Sequence, residues 1–216
     1  MLLSIHVPKN AGTSFRLVID RLYGSEVWYN YGAIFSRESA RPGLIPEGTR
    51  IIHGHFLADA FDDLLPSRRY ITWVRHPVER LVSNYHHFLR SPDMRDTCCR
   101  LLHENNLDLR QFADLDWMQN EACRYLANKP IEDFEFVGVS EQFDASIELF
   151  CSMFGVGPVE ECPCVNVNPG RATERYTLPE EDFAYILERN QADLAWYNRA
   201  VSRLATETRR ASARVA

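Results

Sequence analysis

Short apolar runs alternate with amphipathic segments along most of the chain. The apolar runs are "LLSIHV" (2–7), "RIIHGH" (50–55), "YITWV" (70–74) and "FEFVGV" (134–139). They are rich in Ile and Val and are bounded by polar residues or turn formers, which is typical of buried strands in a parallel sheet.

Apolar residues at helical spacing follow most of these strands. The patterns predict helices over 13–23, 77–90, 109–127 and 141–153, and a pair over 179–206 that begins with "TLPEEDF". Strand followed by helix, repeated, predicts an α/β fold, a three-layer sandwich around a central parallel sheet. The segments 24–49 and 155–178 hold much of the Gly and Pro and are expected to form long loops over one face.

Composition narrows the class of protein. With 216 residues and 45% hydrophobic residues, we expect a single domain over 1–208, followed by a frayed basic tail over 209–216. No run is long enough to span a membrane and the start does not resemble a secretory signal, so we expect a cytoplasmic protein. The net charge of −6 argues against a nucleic-acid partner but allows a local anion site.

The cysteines do not have the spacing of zinc ligands. The closest pairs are Cys98-Cys99 and Cys162-Pro-Cys164, whereas zinc sites usually leave two to four residues between paired ligands. We therefore expect free thiols and no metal.

The first motif is "HVPKNAGTS" (6–14), which joins a predicted strand directly to a predicted helix. A loop at a helix N-terminus favours an anion, because the first N–H groups are unpaired and the helix dipole is positive there. Lys9 precedes Gly12, Thr13 and Ser14, whereas a Walker A loop places its Lys after Gly and before a magnesium-binding Ser or Thr. The alternative is a solvated Lys9 with Thr13 or Ser14 as a plain helix cap.

The second motif is "RHPVERLVSNY" (75–85), again at a strand-to-helix junction. Arg75 is at the carboxyl end of its strand, where open α/β sheets bind ligands, and a guanidinium can hold a phosphate with two hydrogen bonds. Ser83 follows two helical turns later and could reach the same anion. The alternatives are a salt-bridged Arg75 and a solvent-facing Ser83.

Together these motifs resemble those of sulfotransferases that use 3′-phosphoadenosine 5′-phosphosulfate (PAPS). "PKNAGTSF" and "RHPVERLVSNY" are similar to the two signature segments, and "IIHGHF" and "FVGVSEQFDASIELF" also have counterparts there. The greatest similarity is to the carbohydrate 2-O-sulfotransferases of heparan and dermatan sulfate. The resemblance implies a P-loop-like sulfotransferase fold, PAPS as donor and no metal.

The resemblance also implies roles for the donor-binding residues. Lys9 would stabilise the leaving phosphate, and Arg75 and Ser83 would bind the 3′-phosphate. The 5′-phosphate would be held by the backbone of the loop and by two hydroxyls, through Asn10, Ala11, Gly12, Thr13 and Ser14.

His53 and His55 are two residues apart, so in an extended segment their side chains share one face. His55 is nearer the carboxyl end of the strand and is assigned as the general base, as is the second His of this motif in the resembling family. His53 is expected to support the base through a backbone carbonyl or to contact the acceptor. A zinc site would need a third ligand that the spacing does not supply.

Three further predictions concern the loops and the acceptor. Arg171 and Thr173 in "CVNVNPGRATERYT" (164–177) are expected to close over the nucleotide, unless this segment is a plain surface loop. Asn120 could lie near the acceptor, although an exposed helix Asn is simpler. Trp28, Tyr29 and Tyr31 could stack on a sugar or pack on the core.

The acceptor class stays open at this point. A sugar, a glycolipid or a small hydroxylated metabolite fits, whereas the net charge disfavours a long polyanion. Two other function classes remain: a kinase-like protein that binds ATP with magnesium, and a non-catalytic PAPS-binding module that would not need His55.

Overall fold

A five-stranded parallel sheet forms the centre of the protein. A computed structural model describes residues 1–31, 43–91, 93–157, 159 and 175–215. The strands are β1 (Leu2–Ile5), β2 (Val27–Asn30), β3 (Ile51–Gly54), β4 (Arg69–Val74) and β5 (Phe134–Val139), in the spatial order β2-β3-β1-β4-β5. Every neighbouring pair is parallel, which confirms the predicted α/β class with a central parallel sheet.

Helices flank this sheet and follow its strands. They are α1 (Gly12–Tyr23), α2 (Pro77–Arg90), α3 (Thr97–Glu104), α4 (Leu109–Ala113), α5 (Glu121–Tyr125), α6 (Phe143–Phe154), α7 (Glu180–Glu188) and α8 (Gln191–Val215). Among the described residues, none of the helices is both long and apolar enough to cross a membrane.

The hydrophobic core has two parts. The larger part buries both faces of the sheet against α1, α6 and α8, with Ile5, Phe15 and Phe150 almost fully covered. The smaller part lies under α2, where Leu81 and Val82 meet Phe112 and Ile186 of α4 and α7. The second core fixes α2, and with it any residue that α2 presents at the edge of the sheet.

The structure corrects two sequence predictions about the elements and adds one helix that was not predicted. Strand β2 lies inside the segment 24–49 that was expected to be a loop. The helix expected over 109–127 is divided into α4, which ends at Ala113, and α5, whose N-cap Asn120 has a left-handed backbone with φ of 47°. Helix α3 was not predicted, although Asp96 caps it by accepting from the backbone N–H groups of Cys98 and Cys99.

The C-terminal segment is helical rather than frayed over the described residues. Helix α8 continues to Val215, and Ala211 packs against the larger core. Ala and Arg are strong helix formers, so the segment "TRRASAR" extends the helix once its first turns are packed. The boundary of a single domain over 1–208 stays a prediction.

Candidate active site

Three chain segments meet at the carboxyl edge of the sheet because of the strand order. Strand β1 lies between β3 and β4, and the register places Ile5 beside Gly54 on one side and Thr72 on the other. The residues that follow these strands therefore lie side by side. The loop after β1 has the segment containing His55 on one flank and the segment containing Arg75 on the other.

The loop between β1 and α1 has a strained backbone. Lys9 and Ala11 adopt left-handed conformations, with φ of 65° and 57°, which non-glycine residues rarely do. Asn10 anchors the loop: its side-chain amide donates to the carbonyl oxygen of Trp73 at 2.9 Å. Helix α1 begins at Gly12, directly after this loop, and no side chain caps its first backbone N–H groups. An anion site at a helix N-terminus uses such N–H groups.

The amino group of Lys9 lies in a positively charged environment. Its pKa is lowered from the ordinary lysine value, first by burial and then by the charges of Arg75 and Arg90. Two cations that act on Lys9, in a protein of net charge −6, favour the binding of an anion near its amino group. Of the two predicted hydroxyls, Ser14 is buried and Thr13 is exposed.

Arg75 is held by an ion pair within its own helical segment. Its guanidinium donates to a carboxylate oxygen of Glu79, one turn later, at 3.1 Å. The other oxygen of Glu79 accepts from the backbone N–H of Tyr176 at 2.9 Å, and the Arg75 guanidinium lies 6.0 Å from the Tyr176 ring. The salt-bridged alternative for Arg75 is thus present, and the pair lies directly after the carboxyl end of β4.

Ser83 lies on the same face of α2 as Glu79, one turn further along, and is 9% exposed. It is therefore buried, contrary to the alternative in which it faces solvent. Glu79 and Ser83 thus lie one turn apart on the buried side of α2, and Arg75, which precedes the helix, is joined to Glu79 by the ion pair.

Three imidazole rings stack at the other flank of the loop. The ring centroids of His6 and His55 are 4.3 Å apart, and those of His6 and His53 are 5.2 Å apart. His53 is 1% exposed, and its Nδ1 forms a hydrogen bond of 2.8 Å with the hydroxyl of Ser4. This contact involves a side chain rather than the backbone carbonyl that we expected, and the burial of His53 favours a structural role over contact with an acceptor.

His55 is less buried than His53, and its tautomer is defined by one contact. Its Nδ1–H donates to the carbonyl oxygen of His6 at 2.6 Å. In the neutral ring the lone pair is then on Nε2, which is the form that a general base needs. Burial lowers the pKa of His55 below its usual value, which favours this neutral form.

Burial lowers the pKa of the other two imidazoles, His53 and His6, more strongly than that of His55. It lowers the pKa of His53 to about 3, with smaller effects from the charges of His55 and Arg16. The pKa of His6 is held well below the ordinary value by burial first, and then by His53, His55 and Lys9. Among the described residues, no group of three His, Cys, Asp or Glu side chains is arranged to hold a metal.

The three aromatic residues in and just after β2 have separate positions. Trp28 packs on the larger core against Phe61, with ring centroids 6.4 Å apart, and the Tyr29 hydroxyl donates to Asp20. Tyr31 is 39% exposed and lies edge-on to His55 at 4.9 Å between ring centroids. Of the three, Tyr31 alone is placed beside the candidate base.

Asn120 has a structural position at the junction of α5, α7 and α8. Its side-chain oxygen accepts from the backbone N–H groups of Ala192 and Asp193 in the first turn of α8, and its amide donates to the carbonyl of Arg189. Asp193 in turn accepts from the N–H groups at the start of α5. These bonds use both ends of the Asn120 amide, which favours a role in the fold over contact with an acceptor.

Sequence reasoning missed three residues that shape this edge. Arg80 is fully buried, pairs with Glu121 and lies 3.8 Å from Asp193, so it ties α2 to α5 and α8. Glu79 was detectable as an acid one turn after Arg75. His6 was detectable by its place at the end of β1, equivalent to that of Arg75 after β4. The predicted nucleotide residues Arg171 and Thr173 lie outside the described residues.

A comparison with protein families found one relationship. The family model of the sulfotransferase family matches residues 1–198, which is most of the chain. This family includes carbohydrate sulfotransferases such as heparan sulfate 2-O-sulfotransferase. No curated protein matched the chain.

Proposed function

This chain belongs to the sulfotransferase family, and from that premise we propose that it transfers a sulfuryl group from PAPS to the hydroxyl of a carbohydrate or another small hydroxylated acceptor, with His55 as the general base. The observation that carries the proposal is the order of three groups along one sheet edge. His55 stands on one side of the β1–α1 loop and Arg75 on the other, with Lys9 in the loop between them.

The residues proposed to bind the sulfuryl donor suit a nucleotide with phosphates at its 3′ and 5′ positions. The loop and the N-terminus of α1 supply backbone donors for the 5′-phosphate, and Lys9 supplies the charge that stabilises it as a leaving group. Arg75, just before α2, and Ser83, on the buried side of that helix, would bind the 3′-phosphate. The loop needs no magnesium-binding hydroxyl after its lysine, which accounts for a residue order unlike that of Walker A.

Sulfuryl transfer requires the protein mainly to position the two substrates and to accept a proton from the acceptor hydroxyl. The acceptor oxygen forms a bond to sulfur as the bond between sulfur and the phosphate oxygen breaks, giving a sulfate ester and 3′-phosphoadenosine 5′-phosphate. Nε2 of His55 takes the proton of the acceptor hydroxyl, while Nδ1–H stays bonded to the carbonyl of His6. Lys9 neutralises the phosphate that leaves on the opposite side.

The test combines binding with turnover. Calorimetry should detect binding of 3′-phosphoadenosine 5′-phosphate in the presence of EDTA and much weaker binding of adenosine 5′-phosphate. ATP that binds tightly only with magnesium would point instead to a kinase-like protein. Turnover is measured with PAPS against a panel of neutral sugars, glycolipids and phenols; tight binding of the bisphosphate without turnover of any acceptor would favour a non-catalytic binding module.

A further inference from the structure

His6 contacts the candidate base through both its backbone and its ring. Its carbonyl oxygen accepts from Nδ1–H of His55 at 2.6 Å, and its imidazole stacks on that of His55 with 26° between the ring planes. The first contact fixes the tautomer of His55, and the second limits rotation of its ring.

The His6 ring also lies against the start of helix α1. A Cβ atom built on Gly12 would lie 1.9 Å from Cδ2 and 2.0 Å from Nε2 of His6. Gly12 is the first residue of the helix and has no left-handed backbone that would demand glycine. A glycine is therefore required here because the imidazole of His6 occupies the space of a side chain.

Two further contacts hold the His6 ring in this position. Its Nδ1 lies 3.3 Å from the hydroxyl of Tyr31, and burial raises the pKa of Tyr31, so that hydroxyl keeps its proton and can donate. The ring of His53 stacks on it with 21° between the planes. The side chain thus contacts β3, the end of β2 and the helix N-terminus at once.

We propose that His6 is a positioning residue that couples the phosphate loop to the general base: its ring fills the space between Gly12 and His55 and so fixes the base relative to the loop. The proposal rests on the proposed function of His55. It adds that a nucleotide held at the N-terminus of α1 sets the orientation of Nε2 through one intervening side chain.

The same packing keeps His55 dry and neutral. The ring of His6 covers one face of His55, so removing it would admit water and reduce the desolvation that lowers the pKa of His55. The titratable and charged groups around the pair are His53 of β3, Lys9 of the loop, Tyr31 after β2, Tyr125 of α5 and, facing His53, Arg16 of α1. The charges of His53, His55 and Lys9 oppose protonation of His6, and those of His55 and Arg16 oppose protonation of His53.

The first experiment compares His6→Ala with His6→Phe. The alanine variant should lower kcat about 10- to 100-fold, as a misplaced base does, with little change in affinity for 3′-phosphoadenosine 5′-phosphate. The acid limb of its kcat profile and the NMR titration of His55 should both move up towards pH 6.5. The phenylalanine variant keeps a ring in the stack and should retain the low pKa of His55. His103→Ala, a change at an imidazole on α3 that bonds the carbonyl of Phe88, should alter neither readout.

The second experiment is a double-mutant cycle with Gly12→Ala. In the wild-type background the new Cβ must displace His6, so kcat should fall. In the His6→Ala background that space is open, and the additional loss should be several-fold smaller. Losses that simply multiply would show that Gly12 and His6 are not coupled and would overturn the proposal.

The role of His6 can be tested separately from the proposed function of the protein. The NMR titration of His55 needs neither donor nor acceptor, so it tests the positioning role even if the wild-type protein has no sulfotransferase turnover. An unchanged pKa of His55 in His6→Ala, or equal losses at all pH values in the alanine and phenylalanine variants, would overturn the role of His6. If His6→Ala does not fold, the NMR titration of His55 in Gly12→Ala serves as the test instead. An unchanged pKa of His55 in that variant would also contradict the proposal.

Discussion

Nδ1 of His55 lies 2.6 Å from the carbonyl oxygen of His6, and the bond between them connects the end of β1 to the end of β3. A backbone carbonyl can only accept, so His55 must carry its neutral-form proton on Nδ1. The relationship links the base to the same residue whose ring lies against the phosphate loop.

The first prediction is that His55→Ala abolishes most turnover while leaving donor affinity nearly unchanged. Loss of a positioned general base costs about 10²- to 10⁴-fold in rate, and His55 is assigned no contact with the nucleotide. Turnover with PAPS and calorimetry with the bisphosphate product measure the two effects. His53→Ala is the matched comparison; if it loses turnover while folded His55→Ala keeps it, the assignment of the base is reversed.

The second prediction concerns the pH dependence of turnover. The base must be neutral, and burial lowers the pKa of His55 below the ordinary value of about 6.5. Activity should therefore stay constant as the pH falls through 6.5 and decline only at lower pH. A kcat profile with saturating PAPS measures this limb, and a decline that begins above pH 7 would contradict a buried neutral base.

The third prediction is that Arg75→Ala weakens the binding of 3′-phosphoadenosine 5′-phosphate far more than the binding of adenosine 5′-phosphate. The difference should be about 1.5 to 3 kcal/mol, typical of a hydrogen bond to a charged group. Because the change also leaves the buried carboxylate of Glu79 without its cation, the double variant Arg75→Ala/Glu79→Gln is the control for folding. Ser83→Ala should act in the same direction but less, and equal losses for both nucleotides would mean that Arg75 serves the fold.

The sequence predicts which residues lie at the carboxyl ends of the strands, but not how their side chains contact one another. Apolar runs and turn formers located four of the five strands, and the carboxyl-end rule brought Lys9, His55 and Arg75 together. Strand β2 was missed because "VWYN" is only four residues long and lies in a segment rich in turn formers. The stacking of His6 on His55 and its contact with Gly12 depend on strand order, which local patterns do not contain.

The fourth prediction separates the two roles of Asn120. If its amide caps α8, Asn120→Ala should lower the free energy of unfolding by about 0.5 to 2 kcal/mol, the usual cost of losing an N-cap. The turnover of folded protein should be unchanged, because both ends of the side chain are used within the fold. Chemical denaturation and the KM for an acceptor measure these effects, and a raised KM with full stability would restore the acceptor role.

The last prediction is that the buried His53 makes the protein sensitive to mild acid. Its pKa is lowered to about 3 by burial, whereas in the unfolded chain it is about 6.5. Between these values the unfolded state binds the additional proton, so the free energy of unfolding falls as the pH decreases from 6.5, by up to about 1.4 kcal/mol per pH unit for this residue.

The comparison that tests it is His53→Asn, whose side-chain amide can still reach the hydroxyl of Ser4 but does not titrate. Chemical denaturation is measured from pH 6.5 to 4.5, which avoids most of the carboxylate titration near pH 4. His6 and His55 contribute to the pH dependence of stability in both proteins, so their effect cancels in the comparison. The stability of the wild type should fall more steeply than that of the variant, so the difference between them narrows with acid. Parallel slopes would show that His53 is not held neutral by burial, and the stack would then have to tolerate a charge beside the base.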